Sequence, residues 1–367
     1  MPILGTPPCM SRTTNRRTGT DDSPRVVVVD DSPFMRGLIA DLLAEAGVRV
    51  VGEASDGAEA LEVVADERPD VVTMDVEMPG MGGLEAVERL MDETPTPVLM
   101  LSAHTDEGAE VTFEALERGA VDFFAKPGGE VSTGVSQESD RLVEAVRSVA
   151  NADLDAATHD GPDAVDPGAT PTPSSADVDA PLTVVIGAST GGPNAVERVL
   201  SALPRTDCRV LVVQHMPEAF TSRFADRLDA VSAYDVREAT DGARLGAGEA
   251  LVARGGSHTR VDSYRAGRLR VKLFEDDSLS VTPAVDVTMR SAAEAVDDPL
   301  VGVILTGMGS DGAEGIRAMA DAGARTLAQS EDTCVIYGMP KRAVETGAVD
   351  EVHDLDGVAE AIVGGDA

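Results

Sequence analysis

The sequence is short of positive charge. It carries 30 Lys and Arg against 65 Asp and Glu, a formal net charge of −35, and its only lysines are Lys126, Lys272 and Lys341. A surface of that sign repels nucleic acid and anionic lipid, and it argues against a DNA-binding output domain. An acidic, lysine-poor chain also stays dispersed in concentrated salt, where self-repulsion is screened, and this points to a halophilic host. Cysteine is scarce too. Cys9, Cys208 and Cys334 are widely spaced, odd in number and form no C-x-x-C pair, which speaks against a disulfide framework or a zinc site and fits a reducing cytoplasm. No apolar run approaches the roughly 20 residues needed to span a bilayer, so no direct membrane insertion is expected. Residues 1–23 contain Arg16-Arg17 with no apolar stretch behind them, and so read as a disordered N-terminal tail rather than a secretion signal. What remains is 43% apolar over 367 residues, enough for two domains with their own cores.

From residue 24 to about 150, short β-branched runs alternate with amphipathic stretches. RVVVV (25–29), VRVVGE (48–53), DVVTM (70–74), PVLML (97–101) and VDFF (121–124) read as strands, with helical patterns between them. Such alternation implies βαβ units and a doubly wound parallel sheet. Residues 151–181 are rich in Asp, Ala, Pro and Ser without a periodic apolar face, and predict a flexible, disordered linker in which His159 is a solvated bystander. A second alternating α/β domain runs over 182–367, with strands LTVVIG (182–187), RVLVVQ (209–214), ALVA (250–253), LVGVIL (300–305) and RTLAQ (325–329). Residues 259–274 predict a β-hairpin turning at Ala266-Gly267.

In the first domain Asp30-Asp31, Asp75, Ser102 and Lys126 all fall at or just after strand ends, and the carboxyl ends of an open parallel sheet face one crevice. Clustered carboxylates repel one another unless a hard divalent cation joins them, and Mg²⁺ prefers such oxygen ligands. One carboxylate could then attack phosphorus, with the cation and the Lys126 ammonium stabilising charge on the phosphoryl oxygens. The ordered set VVDDSPFMR, MDVEMPGMGGLEA, LMLSA and GAVDFFAKP resembles the receiver domains of two-component response regulators, which are flavodoxin-like. The resemblance implies that Asp75 is the phosphoacceptor, that Asp30 and Asp31 form the acidic pocket, and that Asp31 joins Asp75 on Mg²⁺. It also implies that Ser102 bonds the phosphoryl group and that Lys126 precedes a cis proline. Gly82 departs from the family, which often has Asp there; altered loop stability with retained chemistry is expected.

The second domain offers a hydroxyl, an imidazole and a carboxylate at three strand ends. Ser189 lies in IGASTGGP between a strand and a helix whose first-turn N–H groups would favour a developing oxyanion. His215 follows in VVQHMP and Asp311 in VILTGMGSDG. Each has a plainer reading: GASTGG as an anion-binding turn, a strand-end histidine as structural, Asp311 as a helix cap. Together they form a potential triad, which geometry and not chain order defines.

IGASTGGP, QHMP, TGMGSDGAEGIRAM and the YGMPK segment resemble the catalytic domain of protein-glutamate methylesterases, and the combination with a receiver and linker is that family's. The resemblance implies a Rossmann-like hydrolase domain with Ser189 as nucleophile, His215 as general base and acid, and Asp311 as the orienting carboxylate. It places Thr190 and Met308 near the oxyanion site. His258 matches a family histidine and is expected at the substrate rim, with a structural role as the alternative. The activity implied is demethylation of glutamyl methyl esters, with deamidation of glutamine, on methyl-accepting chemotaxis receptors in the cytoplasm. No cofactor is expected for ester hydrolysis. A chemotaxis histidine kinase would phosphorylate Asp75, and the unphosphorylated receiver would cover the Ser189 crevice. A non-enzymatic regulator, a small-molecule esterase and a transcription factor are the competing readings, the last disfavoured by charge.

Overall fold

The computed structural model describes residues 23–102, 106–126, 135–152, 154, 181–276 and 278–364. The tail, most of the linker with His159, His104 and the Pro127 expected to be cis lie outside the described residues.

The N-terminal unit alternates strictly: β1 (Arg25–Val29), α1 (Pro33–Glu45), β2 (Arg49–Ala54), α2 (Gly57–Glu67), β3 (Val71–Asp75), α3 (Gly83–Glu93), β4 (Val98–Ser102), α4 (Asp106–Glu117), β5 (Asp122–Ala125) and α5 (Val135–Val149). The valine-rich runs of β1, β3 and β4 are buried on both faces, as a parallel sheet covered by helices on each side requires. The sheet order is β2-β1-β3-β4-β5, all parallel. The order reverses between β1 and β3, so a crevice opens beyond their carboxyl ends. Local signals set the helix starts. Ser32 caps α1 by accepting from Met35 N, and Asp56 caps α2 by accepting from Ala58 N and Glu59 N.

The C-terminal unit contains β6 (Thr183–Ala188), α6 (Gly192–Ala202), β7 (Arg209–Gln214), α7 (Glu218–Val231), β8 (Asp235–Glu238), β9 (Arg244–Leu245), β10 (Glu249–Val252), β11 (His258–Arg265), β12 (Arg268–Phe274), α8 (Val285–Ala295), β13 (Leu300–Ile304), α9 (Ala313–Asp321), β14 (Arg325–Gln329), α10 (Met339–Glu345), β15 (Glu351–His353) and α11 (Leu355–Val363). Its seven-stranded parallel sheet has the order β15-β14-β13-β6-β7-β10-β8. β6 lies between β13 and β7, where the winding changes direction, so the crevice sits over the ends of these three strands. β11 and β12 form the expected hairpin, turning at Ala266 and Gly267, both at positive φ.

The two units touch. Phe113 of α4 stacks on Phe224 of α7 (centroids 5.9 Å) and meets Phe220 edge-on, while Phe123 of β5 lies 4.5 Å from Phe220. Four of the seven phenylalanines of the chain therefore gather at one boundary, and burying such rings contributes about 1.5–3 kcal/mol each. Arg227 of α7 bonds the Phe113 carbonyl and the Glu117 carboxylate (2.7 Å), and Asn194 of α6 donates to the Leu116 carbonyl.

Candidate active sites

In the first crevice, β1 delivers Asp30, β3 ends in Asp75, and Lys126 follows β5. Lys126 Nζ lies 2.8 Å from Asp30 Oδ2 and 2.7 Å from Asp75 Oδ2. Asp30 is fully buried and accepts from Ser32 N through Oδ1; Asp75 is nearly buried. Burial, only partly offset by the Lys126 ammonium, pushes the Asp75 carboxyl above the ordinary carboxylate range. Asp31 is exposed, yet ligand oxygens of Asp30, Asp31 and Asp75 all come within 4.8 Å of one another. An all-oxygen set with one solvent-facing member fits Mg²⁺, which keeps waters of its own. Ser102 is buried at the end of β4, where its carbonyl accepts from Lys126 N. The structure thus brings Asp30, Asp31, Asp75 and Lys126 together, with Ser102 one strand away.

The second crevice is built by register. Ala188 of β6 pairs with Gln214 of β7, so Ser189 and His215 leave the sheet side by side. Gly187 of β6 pairs with Ile304 of β13, which brings Thr306 alongside, and Ser189 N donates to the Thr306 carbonyl. The turn into α6 is tight: Gly192 N donates to the Ser189 carbonyl at 2.7 Å, with Gly191 at φ +71°. A Cβ at Gly307 would stand 2.7 Å from the Ser189 Cβ, so only glycine lets β13 approach the serine this closely.

His215 Nε2 lies 2.8 Å from Asp311 Oδ2. With Nε2–H given to the carboxylate, Nδ1 is the ring nitrogen left to take a proton. Burial alone would raise the Asp311 carboxyl, but the His215 bond and the Asp286 and Val285 N–H groups outweigh it and hold Asp311 below the ordinary range. Among the described residues no hydrogen bond joins the Ser189 hydroxyl to His215. Thr190 is buried, and Met308 is half-buried beside the Gly338 backbone.

His258 is not at the rim. It is fully buried, with Nδ1 accepting from Ala284 N at 3.2 Å, Nε2 on the Asp276 carbonyl and the ring against Phe274. The hairpin folds over it, and both ring nitrogens are occupied by backbone.

Residues that motif reading passed over also shape the site. Gln214 Nε2 donates to the Ser189 carbonyl, and Thr306 Oγ1 donates to the Thr190 carbonyl and accepts from Ile336 N. Gln329 Oε1 accepts from Thr306 N. Asp122, at the head of β5, accepts a bond from the Thr190 side chain across the domain boundary. Gln214 and Thr306 stand inside the QHMP and TGMGSDG segments but read there as interior polar residues, and Gln329 and Asp122 have no signature of their own.

Fold and crevices define a class: a receiver-type α/β domain docked on a second α/β domain whose strand ends bring a serine beside a paired histidine and aspartate. Residues 26–132 match the response regulator receiver domain, and residues 184–362 match CheB methylesterase. A protein-glutamate methylesterase/protein-glutamine glutaminase of Haloarcula marismortui is 56% identical over 359 residues, covering 93% of this chain and 97% of its own length. A protein of the same description from Halobacterium salinarum is 57% identical over 338 residues, covering 92% of this chain and 96% of its own. The solved catalytic domain of Thermotoga maritima CheB methylesterase is 38% identical and covers 50% of this chain and 97% of that one, with a TM-score of 0.48. The chain belongs to the CheB methylesterase family. The haloarchaeal source of the two relatives agrees with the acidic, lysine-poor composition.

Proposed function

We propose that this protein is a phosphorylation-activated protein-glutamate methylesterase and protein-glutamine glutaminase that demethylates methyl-accepting chemotaxis receptors. The observation that carries the catalytic reading is the His215–Asp311 pair (2.8 Å) next to Ser189 at the point where the sheet reverses. His215 Nδ1 takes the Ser189 proton as Oγ attacks the ester carbonyl; the same nitrogen returns it to the departing methoxide, and methanol leaves. Water then attacks the acyl-enzyme by the reverse proton path, Oγ takes its proton back, and a receptor glutamate remains. A glutamine substrate follows the same course with ammonia leaving. Asp311 keeps the ring oriented and stabilises the imidazolium. Backbone N–H groups near Thr190 and Met308 serve the oxyanion. General-base help is worth roughly 10²–10⁴ in rate, and each oxyanion donor roughly 10²–10³.

Control comes from the receiver. Asp75 is the phosphoacceptor, with a chemotaxis histidine kinase as donor. Asp31 and Asp75 would hold Mg²⁺, which when bound would neutralise charge on the phosphoryl group, and Lys126 and Ser102 are placed to meet its oxygens. β5 runs directly from Asp122, bound to Thr190, to Lys126, bound to Asp75. Movement of Lys126 toward a phosphoryl group is thereby felt next to the nucleophile, and loosening the Phe113–Phe224 contact opens the crevice. The phosphorelay and the two buried free cysteines, Cys208 and Cys334, support a cytoplasmic location. No described helix is long and apolar enough to cross a membrane.

The test is methanol release from methylated receptor membranes. Wild-type protein should release methanol faster once a small-molecule phosphodonor and Mg²⁺ are added. Ser189→Ala should release none while still forming the aspartyl phosphate. Methanol release by that variant would refute the nucleophile assignment.

A further inference from the structure

Two helices start at the catalytic aspartate, and neither supplies its own cap. α8 has Ala284 and α9 has Gly312 at the N-cap position, and neither forms a side-chain capping bond. The first N–H groups of a helix need acceptors, and buried ones left without them cost stability. Here the acceptors are exchanged. Asp311, which precedes α9, accepts from the first residues of α8: Val285 N to Oδ2 at 2.6 Å and Asp286 N to Oδ1 at 3.0 Å. Asp286, inside the first turn of α8, accepts from the start of α9 through Oδ1: Gly315 N at 2.6 Å, and Gly312 N at 2.9 Å, which it shares with Asp311 Oδ1 at 3.1 Å. Gly312 is the residue bonded to Asp311 in the chain, so Asp286 grips the backbone adjoining the catalytic carboxylate.

The packing leaves little freedom around this exchange. A Cβ at Gly315 would sit 2.7 Å from the Met289 Cβ, 3.1 Å from the Asp286 Cα and 3.2 Å from its Oδ1. Gly312 has φ +94°, a conformation that side chains rarely adopt. Two carboxylates this close repel each other, and such an arrangement persists only where each is held by donors of its own. Here the two helix N-termini supply them. Among the described residues Asp286 forms no hydrogen bond with Ser189 or His215, and its route to the reaction runs through Asp311.

We infer that Asp286 is a positioning residue for hydrolysis: by holding Gly312 and Gly315 it fixes the Asp311 carboxylate in line with His215 Nε2. The inference rests on the catalytic reading of Asp311 given above. Its acceptor is a single oxygen, Oδ1, so the inference separates acceptor function from charge. Asparagine keeps that oxygen; alanine removes it.

The experiment uses the full chain, phosphorylated with a small-molecule phosphodonor, and follows methanol release from methylated receptor membranes. Asp286→Ala should lower kcat roughly tenfold to a hundredfold, the range for a displaced second-layer orienting group, with KM within about twofold. Asp286→Asn should restore most of the loss. The NMR signal of the His215 ring proton shared with Asp311 should shift in the alanine variant and return toward its place in the asparagine variant. A purely structural cap would lower the melting temperature while leaving kcat of the folded fraction and that proton signal unmoved, and this result overturns the inference. Should Asp286→Ala not fold, Asp286→Glu makes the same test, since the longer side chain carries the acceptor oxygens away from the Gly312 and Gly315 N–H groups. A kcat loss with KM held supports the inference, and an unchanged kcat overturns it. Asp311→Ala, measured alongside, separates the two levels. If it retains activity, the triad reading itself fails. If it is inactive while Asp286→Ala keeps wild-type kcat, only the positioning inference fails.

Discussion

The two domains build their sites on the same framework, strand ends at the point where a parallel sheet reverses, yet they treat a buried aspartate in opposite ways. In the receiver, burial lifts Asp75 above the ordinary carboxylate range, and the single ammonium of Lys126, shared with Asp30, does not cancel it. In the hydrolase domain, Asp311 is buried as well, but an imidazole and two backbone N–H groups hold it below that range. Burial has the same sign in both, and the number of donors decides the outcome. On the proposed reading Asp75 receives a phosphoryl group beside a divalent cation, and the Lys126 ammonium and Glu77 N are its donors among the described residues. In the proposed mechanism Asp311 orients an imidazole through every turnover and must stay ionised, and the start of α8 supplies its backbone donors.

Substitution breaks the comparison most sharply at Asp311. Asp311→Asn turns an acceptor-only group into one that presents N–H to its neighbours, which disfavours the His215 tautomer needed for base catalysis. Ester hydrolysis should fall by about 10⁴, while phosphorylation of Asp75, followed with labelled phosphodonor, should proceed as before. Loss of both would show that the sites are not chemically separate.

A third aspartate sharpens the picture at the boundary. Desolvation pushes Asp122 up to about 7, outweighing the lowering effect of its bonds from Phe123 N and the Thr190 side chain. A carboxyl whose pKa rises on docking favours docking at low pH, and that contribution is lost as pH climbs through the docked value. The unphosphorylated protein should therefore open as pH rises from about 4 to about 7, read as faster proteolysis between the two domains. Asp122→Asn should flatten that dependence. An equally steep pH response in the variant would place the switch elsewhere.

The smallest effect concerns Gly82. As the N-cap of α3 it offers no side-chain acceptor, and a Cβ there would meet nothing closer than 3.7 Å. Gly82→Asp should stabilise the receiver by about a few tenths of a kcal/mol in a thermal melt, without altering the rate of phosphorylation. A lowered melting temperature would mean that this loop is fixed by something other than the cap.

Much of this architecture was legible in the chain. Double-sided valine runs such as RVVVV and RVLVVQ have one physical solution, a covered parallel strand, and they fixed where Asp30, Asp75, Ser189 and His215 emerge. β8 (DVRE) and β15 (EVH) were not legible, since these short edge strands are half polar and expose much of their surface. α10 is seven residues long, too short for a helical period to show. His258 was expected at the substrate rim; its burial depends on a hairpin closing over it, which no local pattern encodes. Asp286 looks like any acidic residue in the first turn of a helix. Only the meeting of α8 and α9, distant in sequence, gives it a second helix to cap.

The central claim is that Ser189, His215 and Asp311 form one activated nucleophile beneath a removable receiver. Covalent labelling by a fluorophosphonate, with the modified residue identified by peptide mapping, tests it most directly. The account predicts one labelled residue, Ser189, a rate that rises when Asp75 is phosphorylated, and loss of labelling in His215→Ala. Absence of label on the phosphorylated protein, or labelling indifferent to His215, would contradict it.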